Sequence, residues 1–434
     1  MSDHPLPSLS LLIIADDLSG AADCAIPCVA AGLETWVALD EPALLPVTTD
    51  VLAVDADTRR LSPALAAARV SAILQHVHQD SALWFKKFDS TLRGHIGAEL
   101  AAALEVRRQT APESLALVAP AFPSMGRYTR GGQQYLNDIP VEQTEAWQHD
   151  RLEGRAHVPT LLAQAGLRVV SIGLELIRAP SAALQEALTR HESLCDAVVC
   201  DAETEDDLRL ITQAGLSLGR PLVWGGSAGL AHHLPSAAGL RGHMTPARAL
   251  DGATGPLLFV VGSMSSISQS QVRMLLPTIQ ALHMKLSPAL LRASEAAPAW
   301  QEVRQSLLRA ATNGQNIVIQ LEQEGLPNGA EGLQLCQSLA RLVAPLSSLL
   351  GGVFATGGET ARAVLTSFGI TSLRLRGEVE PGVPLAHATI NQNGSRPLPV
   401  ITKAGAFGHP ETLIRCAQLL RAPDSFCLQK GKIS

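Results

Sequence analysis

Leu9-Ser10-Leu11-Leu12-Ile13-Ile14-Ala15, followed at once by Asp16-Asp17-Leu18-Ser19-Gly20-Ala21, is the stretch that decides how this chain is read. The first seven residues are strand-length and apolar at nearly every position. A strand buried on both faces reads this way, as in a parallel sheet covered by helices. Two adjacent carboxylates then close the strand, and small residues open a helix. In parallel α/β sheets, ligands gather where strands end and helices begin. No basic stretch precedes the run, so it reads as a first strand rather than a signal peptide.

Further along, the same unit recurs. Val51–Val54, Leu83–Lys86, Leu115–Ala119, Val169–Ile172, Ala197–Cys200 and Leu222–Trp224 read as strands, with helical patterns such as Pro63–His78 and Ile96–Arg107 between them. The alternation lapses near Pro235 into Ala, Gly, Pro and Ser, then restarts with Leu257–Val261, Ile317–Gln320, Val353–Ala355 and Pro399–Thr402. Glu359–Phe368 and Glu411–Leu420 read as helices of this second part, and the residues after Arg421 as a fraying end. The expected fold is α/β: two lobes, each a mainly parallel sheet flanked by helices, with a cleft between them. The expected boundaries are 1–235 for a substrate lobe, 236–256 for a connection and 257–434 for a nucleotide lobe.

Bulk composition agrees and excludes several classes. The chain has 434 residues, 46% hydrophobic, 17% charged and only 3% aromatic, so its cores are aliphatic. A net charge of −6 disfavours nucleic acid and anionic membrane surfaces as partners. Seven scattered cysteines fit a reducing cytoplasm, and Cys24 and Cys28 lack a matching pair at zinc spacing, so no metal site is expected of them. No apolar segment is long enough to span a bilayer without interruption. The oligomeric state is left open, a homodimer among the options.

Chemistry concentrates after the strands. Asp16 and Asp17 can accept hydrogen bonds from hydroxyls or take a proton from one; the plainer alternative is that one of them caps the following helix. Lys86-Lys87-Phe88-Asp89-Ser90-Thr91-Leu92-Arg93-Gly94 is the densest polar cluster in the chain. There Lys87 and Arg93 suit a carboxylate, Arg with a bidentate fork, while Asp89 and Ser90 offer short polar groups. Arg59 and Arg127, each following a strand, are balanced between ligand contact and surface. In the second lobe, small-residue turns follow three strands: Gly262-Ser263-Met264-Ser265, Thr356-Gly357-Gly358-Glu359-Thr360, and Lys403-Ala404-Gly405-Ala406-Phe407-Gly408. Glycines let backbone N–H groups approach phosphate oxygens at helix N-termini. Ser263, Ser265, Gly357, Gly358, Glu359, Thr360 and Gly405 are therefore the candidate nucleotide contacts. No P-loop spacing occurs, and Gly225-Gly226-Ser227-Ala228-Gly229 lacks the dinucleotide fingerprint.

Taken together, these motifs resemble the four-carbon acid sugar kinase family, which includes threonate, erythronate and 3-oxo-tetronate kinases. The match runs nearly end to end, through Asp16–Ala21, Lys86–Gly94, Pro120–Pro123 with Gly126-Arg127, Gly226–Ala231, Gly262-Ser263, Thr356–Thr360 and Lys403 with Gly405, Phe407 and Gly408. Leu18, Ser19, Met125, Ala404 and Ala406 depart mildly from the family's usual residues. The resemblance implies transfer of a phosphoryl group from ATP, with Mg2+, to the terminal hydroxyl of a sugar acid. The Lys-Lys-Phe-Asp-Ser-Thr-Leu-Arg-Gly form is closest in appearance to D-threonate kinases. It implies Asp17 or Asp16 as base, closure of the lobes to exclude water, a carboxylate held by Lys87 and Arg93, and ATP on the glycine loops. Two rivals from other classes are a dehydrogenase or isomerase, and a non-catalytic sugar-acid sensor.

Overall fold

A computed structural model describes residues 9–39, 49–77, 81–144, 147, 154–191, 194–242, 254–263, 265–322, 329–390, 396–405 and 407–421. The chain divides into two compact units, Met1–His243 and Met244–Ser434. Of the expected 236–256 connection, residues 236 and 237 end the helix Ala228–Ala237, and 243–253 lie outside the described residues, as do Met264, Ala406 and everything after Arg421.

Unit 1 holds β1 (Leu11–Ala15), β2 (Thr35–Ala38), β3 (Val51–Asp55), β4 (Leu83–Lys87), β5 (Leu115–Ala119), β6 (Arg127–Arg130), β7 (Gln133–Leu136), β8 (Ile139–Pro140), β9 (Val169–Ile172), β10 (Ala197–Cys200) and β11 (Leu222–Gly226). Eight of these form a parallel sheet in the order β2-β3-β1-β4-β11-β5-β10-β9. The chain winds to one side of β1 for β2 and β3 and to the other for β4 onward. That reversal beside β1 is where such sheets bind ligands. The strands are apolar at successive positions because both faces are covered. Leu12, Ile14, Leu52, Val54 and Trp84 pack with Val70, Ile73 and Leu74 of the helix Pro63–Val77 and Leu100 and Leu104 of Ile96–Arg108. At roughly 1.5–3 kcal/mol for each fully buried large aliphatic side chain, this layer dominates the unit's stability. β6, β7 and β8 form a separate antiparallel sheet.

Unit 2 holds β12 (Leu257–Val261), β13 (Ala281–Leu286), β14 (Asn316–Leu321), β15 (Gly352–Thr356), β16 (Ser372–Glu378), β17 (Pro384–Ile390) and β18 (Arg396–Lys403). Their order is β13-β14-β12-β15-β18-β17-β16, parallel through β18 and antiparallel beyond it. Phe259, Val261, Val318, Phe354 and Ile401 anchor one core layer against Val272, Leu275, Leu413 and Cys416.

The α/β architecture expected from the alternation is what each unit has. Sequence reading passed over β2, β13, β16, β17 and the β6–β8 sheet. β13 and β16 are half-buried and mix polar with apolar residues, as in Leu373-Arg374-Leu375-Arg376, so neither shows a continuous apolar run.

Candidate functional site

The polar residues singled out in unit 1 converge, and sheet register explains why. Ala15 is level with Asp55, and Ile14 with Lys86, so β1, β3 and β4 end together. Side chains alternate along a strand. Lys86 therefore shares the face of Trp84 and turns toward the helix Ile96–Arg108, where its Nζ lies 2.8 Å from Glu99 Oε2. Lys87 turns to the opposite face and reaches the start of the helix Leu18–Ala30.

There Lys87 Nζ donates to Asp16 Oδ1 at 2.8 Å and to Asp17 Oδ1 at 3.0 Å. Arg59 donates to Asp16 Oδ2 through Nε at 2.9 Å and Nη2 at 2.7 Å, and Nη2 also lies 3.2 Å from Asp17 and 3.5 Å from Asp89. Arg93 forks onto Asp89, Nε to Oδ2 at 2.9 Å and Nη2 to Oδ1 at 2.7 Å. Asp17 also caps its helix, accepting from the Gly20 N–H at 3.0 Å. The capping alternative is therefore real for Asp17, yet the cap uses only part of its accepting capacity. Asp17 is 20% exposed where Asp16 is 3%, so Asp17 is the more accessible of the two. Gly20 makes this contact possible: a Cβ there would stand 2.1 Å from Lys87 Nζ.

Electrostatics follow from the packing. Burial pushes the Asp17 carboxyl up, but Arg59 and Lys87 outweigh it and hold the group well below the usual carboxylate range. Burial likewise opposes the charge on Asp89, and Arg93 and Arg59 more than offset it. Burial draws Lys87 down, while Asp16 and Asp17 raise it above an ordinary lysine. Asp17, Asp89, Arg59 and Lys87 are therefore all charged at neutral pH.

Two loops of the cluster hold unusual backbone. Asp57 (φ 47°) and Leu92 (φ 59°) are left-handed, a conformation non-glycine residues rarely adopt. Ser90 sits between Asp89 and Leu92; its carbonyl accepts from Gln134 Nε2 at 2.9 Å, and its hydroxyl has no partner among the described residues. Arg127 Nη1 donates to Met125 O, and its buried Nε has no partner among the described residues. Burial lowers the Arg127 pKa, Asp89 opposes the shift, and Arg93 adds to it, so Arg127 feels the same cluster.

The glycines of Gly225–Gly229 serve packing instead. A Cβ at Gly226 would meet Ala119 O at 2.5 Å and one at Gly229 would meet Ala121 O at 2.4 Å. Ser227 caps the helix Ala228–Ala237 and donates to Ala121 O at 2.8 Å.

In unit 2 the three small-residue turns also meet. Val261 is level with Thr356, and Thr356 with Lys403. Gly262 lies against Thr360, where a Cβ would come within 2.2 Å of Oγ1; Gly405 lies against Ser263, where it would come within 2.4 Å of Oγ. Ser265 caps the helix Ser266–Leu275 and donates to Gly405 O at 2.9 Å. Gly357 takes φ 93° at the cap of the helix Gly358–Ser367, leaving Gly358, Glu359 and Thr360 in its first turn. The Thr360 hydroxyl pairs with Cys336 Sγ at 3.3 Å and faces inward; Glu359 is half-buried. Thr356 Oγ1 is buried without a partner among the described residues.

Sequence reading missed Gln134, Glu99 and Ser268, which support the loops from behind. Each lies inside a helix or strand pattern and carries no local signal. No cluster of three or more His, Cys, Asp or Glu suited to a metal occurs among the described residues, and none of their helices is long and apolar enough to cross a membrane.

A family model for a sugar-binding N-terminal domain matches residues 11–234, and one for a nucleotide-binding C-terminal domain matches 258–413. The chain is 40% identical to a D-threonate kinase of Cupriavidus necator, covering 96% of this chain and 100% of that protein. It is 35% identical to a D-threonate kinase of Bordetella bronchiseptica, covering 94% and 97%. A D-erythronate kinase of Heliobacterium modesticaldum is 27% identical over 95% of this chain and 97% of that protein. A crystal structure of a Salmonella typhimurium protein shares the fold, with a TM-score of 0.76 at 24% identity, covering 94% of this chain and 98% of that one.

Proposed function

Because the chain belongs to the four-carbon acid sugar kinase family, we propose that it phosphorylates D-threonate at its terminal hydroxyl, giving 4-phospho-D-threonate at the expense of ATP. The observation that carries this reading is the ion-paired cluster of Asp16, Asp17, Arg59, Lys87, Asp89 and Arg93 at the ends of adjacent parallel strands, within the segment matched by a sugar-binding domain. A sugar acid presents one carboxylate and several hydroxyls, and such a cluster offers both cations and acceptors.

In this reading the acid's carboxylate meets Arg93 and Arg127, with Lys87 and Arg59 supplying further positive charge, and its hydroxyls meet Asp89 and Ser90. Asp17 accepts the proton of the attacking hydroxyl, and Asp16 holds Arg59 and Lys87 in place. A carboxylate kept below its ordinary range is a weak base. That is tolerable, because phosphoryl transfer passes through a loose transition state in which positioning and charge neutralisation matter most. ATP lies on the loops of Ser263, Ser265, Gly357 to Thr360 and Gly405. Magnesium comes with the nucleotide, since this ion keeps phosphate and water ligands and asks little of the protein. The cytoplasm, where ATP and free thiols are both maintained, is the compartment this reading requires.

The test is release of ADP by purified protein with ATP and magnesium over sugar acids of different length and stereochemistry. D-threonate should give the highest kcat/KM, above D-erythronate and 3-oxo-tetronate. No stimulation by any of these acids would remove the assignment.

A further inference from the structure

We propose that Lys403 is a positioning residue of the nucleotide site, holding the Ala404, Gly405 and Phe407 carbonyls inward so that the Ala404 and Gly405 N–H groups are left for phosphate. Lys403 is only 1% exposed at the end of β18. Its Nζ donates to Ala404 O at 3.1 Å, Gly405 O at 3.0 Å and Phe407 O at 2.9 Å. The Gly405 carbonyl also accepts from Ser265 Oγ at 2.9 Å and Ser268 Oγ at 2.8 Å. Three donors thus fix one carbonyl. The main chain of Lys403 reaches the neighbouring loop, its carbonyl accepting from the Gly357 N–H at 2.9 Å. One residue ties together two of the three turns.

The ammonium has no carboxylate at ion-pair distance among the described residues. A buried charge is ordinarily paired, so this one calls for a nearby anion. Glu380 and Cys416 are the titratable groups whose fields reach it. Glu380 already accepts from the Thr412 hydroxyl, the His409 N–H at 3.2 Å and Arg415 Nη1 at 2.9 Å. Cys416 stays a neutral thiol, because burial pushes it far up. Burial draws Lys403 itself down to about 8, with Cys416 and Glu380 opposing. A lysine with a lowered pKa is charged below that value and loses its charge as pH rises through it. Bound phosphate favours the charged form, so nucleotide affinity should fall across the same interval.

The inference rests on ATP binding to unit 2, and calorimetry on the full chain separates the two claims. Lys403→Met should weaken ATP binding by about tenfold or more, the scale seen when a group that orients a ligand's own contacts is removed. KM for D-threonate should move by less than about twofold, and Lys403→Arg should recover part of the loss. Ser268→Ala, a milder change on the same carbonyl, should weaken ATP binding in the same direction and serves if the lysine variants do not fold. In the unaltered protein, ATP affinity should fall between about pH 7 and pH 9.5, the interval around the lowered Lys403 value. A folded Lys403→Met variant with unchanged ATP affinity overturns the positioning role alone, as does a flat pH profile with a neutral Ser268→Ala. Absence of ATP binding by the unaltered protein overturns the nucleotide reading as well.

Discussion

At the residue scale, the unit 1 cluster is a set of charges that neutralise one another, and its behaviour with pH follows. Asp17 is depressed by Arg59 and Lys87, so its ionised form persists as pH falls until the lowered value is reached. The acid side of the kcat/KM profile should therefore be flat to about pH 5, below which ordinary carboxylates titrate. Arg59→Met removes one depressing charge and should bring that limb up into the measurable range; a limb unmoved by the substitution would exclude Asp17 as the group it reports. Asp17→Asn keeps the shape and removes the charge, and should lower kcat by roughly 100-fold if Asp17 takes the proton. Near-normal turnover by a variant with unaltered melting would leave Asp17 only its cap. Gly20→Ala tests the same contact from the other side. Its methyl would displace Lys87 Nζ, so KM for the acid should rise while KM for ATP stays level.

At the element scale, each unit depends on contacts behind its loops. Lys86 and Glu99 join β4 to the helix Ile96–Arg108 at 1% and 2% exposure, and Thr58 Oγ1 donates to Glu99 at 3.0 Å. Removing one member of a buried pair leaves the other charge stranded, at a cost of about 3–5 kcal/mol. Glu99→Leu should lower stability on that scale in urea titration, well beyond the loss from an exposed pair such as Arg190–Glu186. In unit 2 the matching contact is Gly262 against Thr360. Gly262→Ala would push the first turn of Gly358–Ser367 away from β12, weakening ATP binding while leaving acid binding intact. Equal ATP affinity in that variant would mean the two turns do not act together.

At the scale of the whole molecule, the two units should report different ligands. Each has its own parallel strands and its own buried layer. A ligand present at 100 times its Kd stabilises what it binds by about 2.7 kcal/mol. Hydrogen exchange should slow in the loops after β1, β3 and β4 with D-threonate, and in those after β12, β15 and β18 with MgATP. Protection by both ligands in the same unit would contradict the division of labour.

The alternation of apolar runs with helical patterns was enough to determine an α/β chain in two parts, because strands covered on both faces must be apolar throughout. The same local chemistry marked the loops, since carboxylates, lysines and glycines placed directly after strands announce themselves. Half-buried strands such as β13 and β16 left no such trace. Only the tertiary structure decided which polar groups share a space: the phase of β4 sends Lys86 to Glu99 and Lys87 to the aspartates, a distinction that two adjacent lysines cannot express. It also showed Arg93 forked onto Asp89 and Lys403 turned inward onto its own loop. Pairing and burial arise when segments distant in the chain are brought within a few ångströms, and hydrogen bonding then settles the direction in which each side chain points.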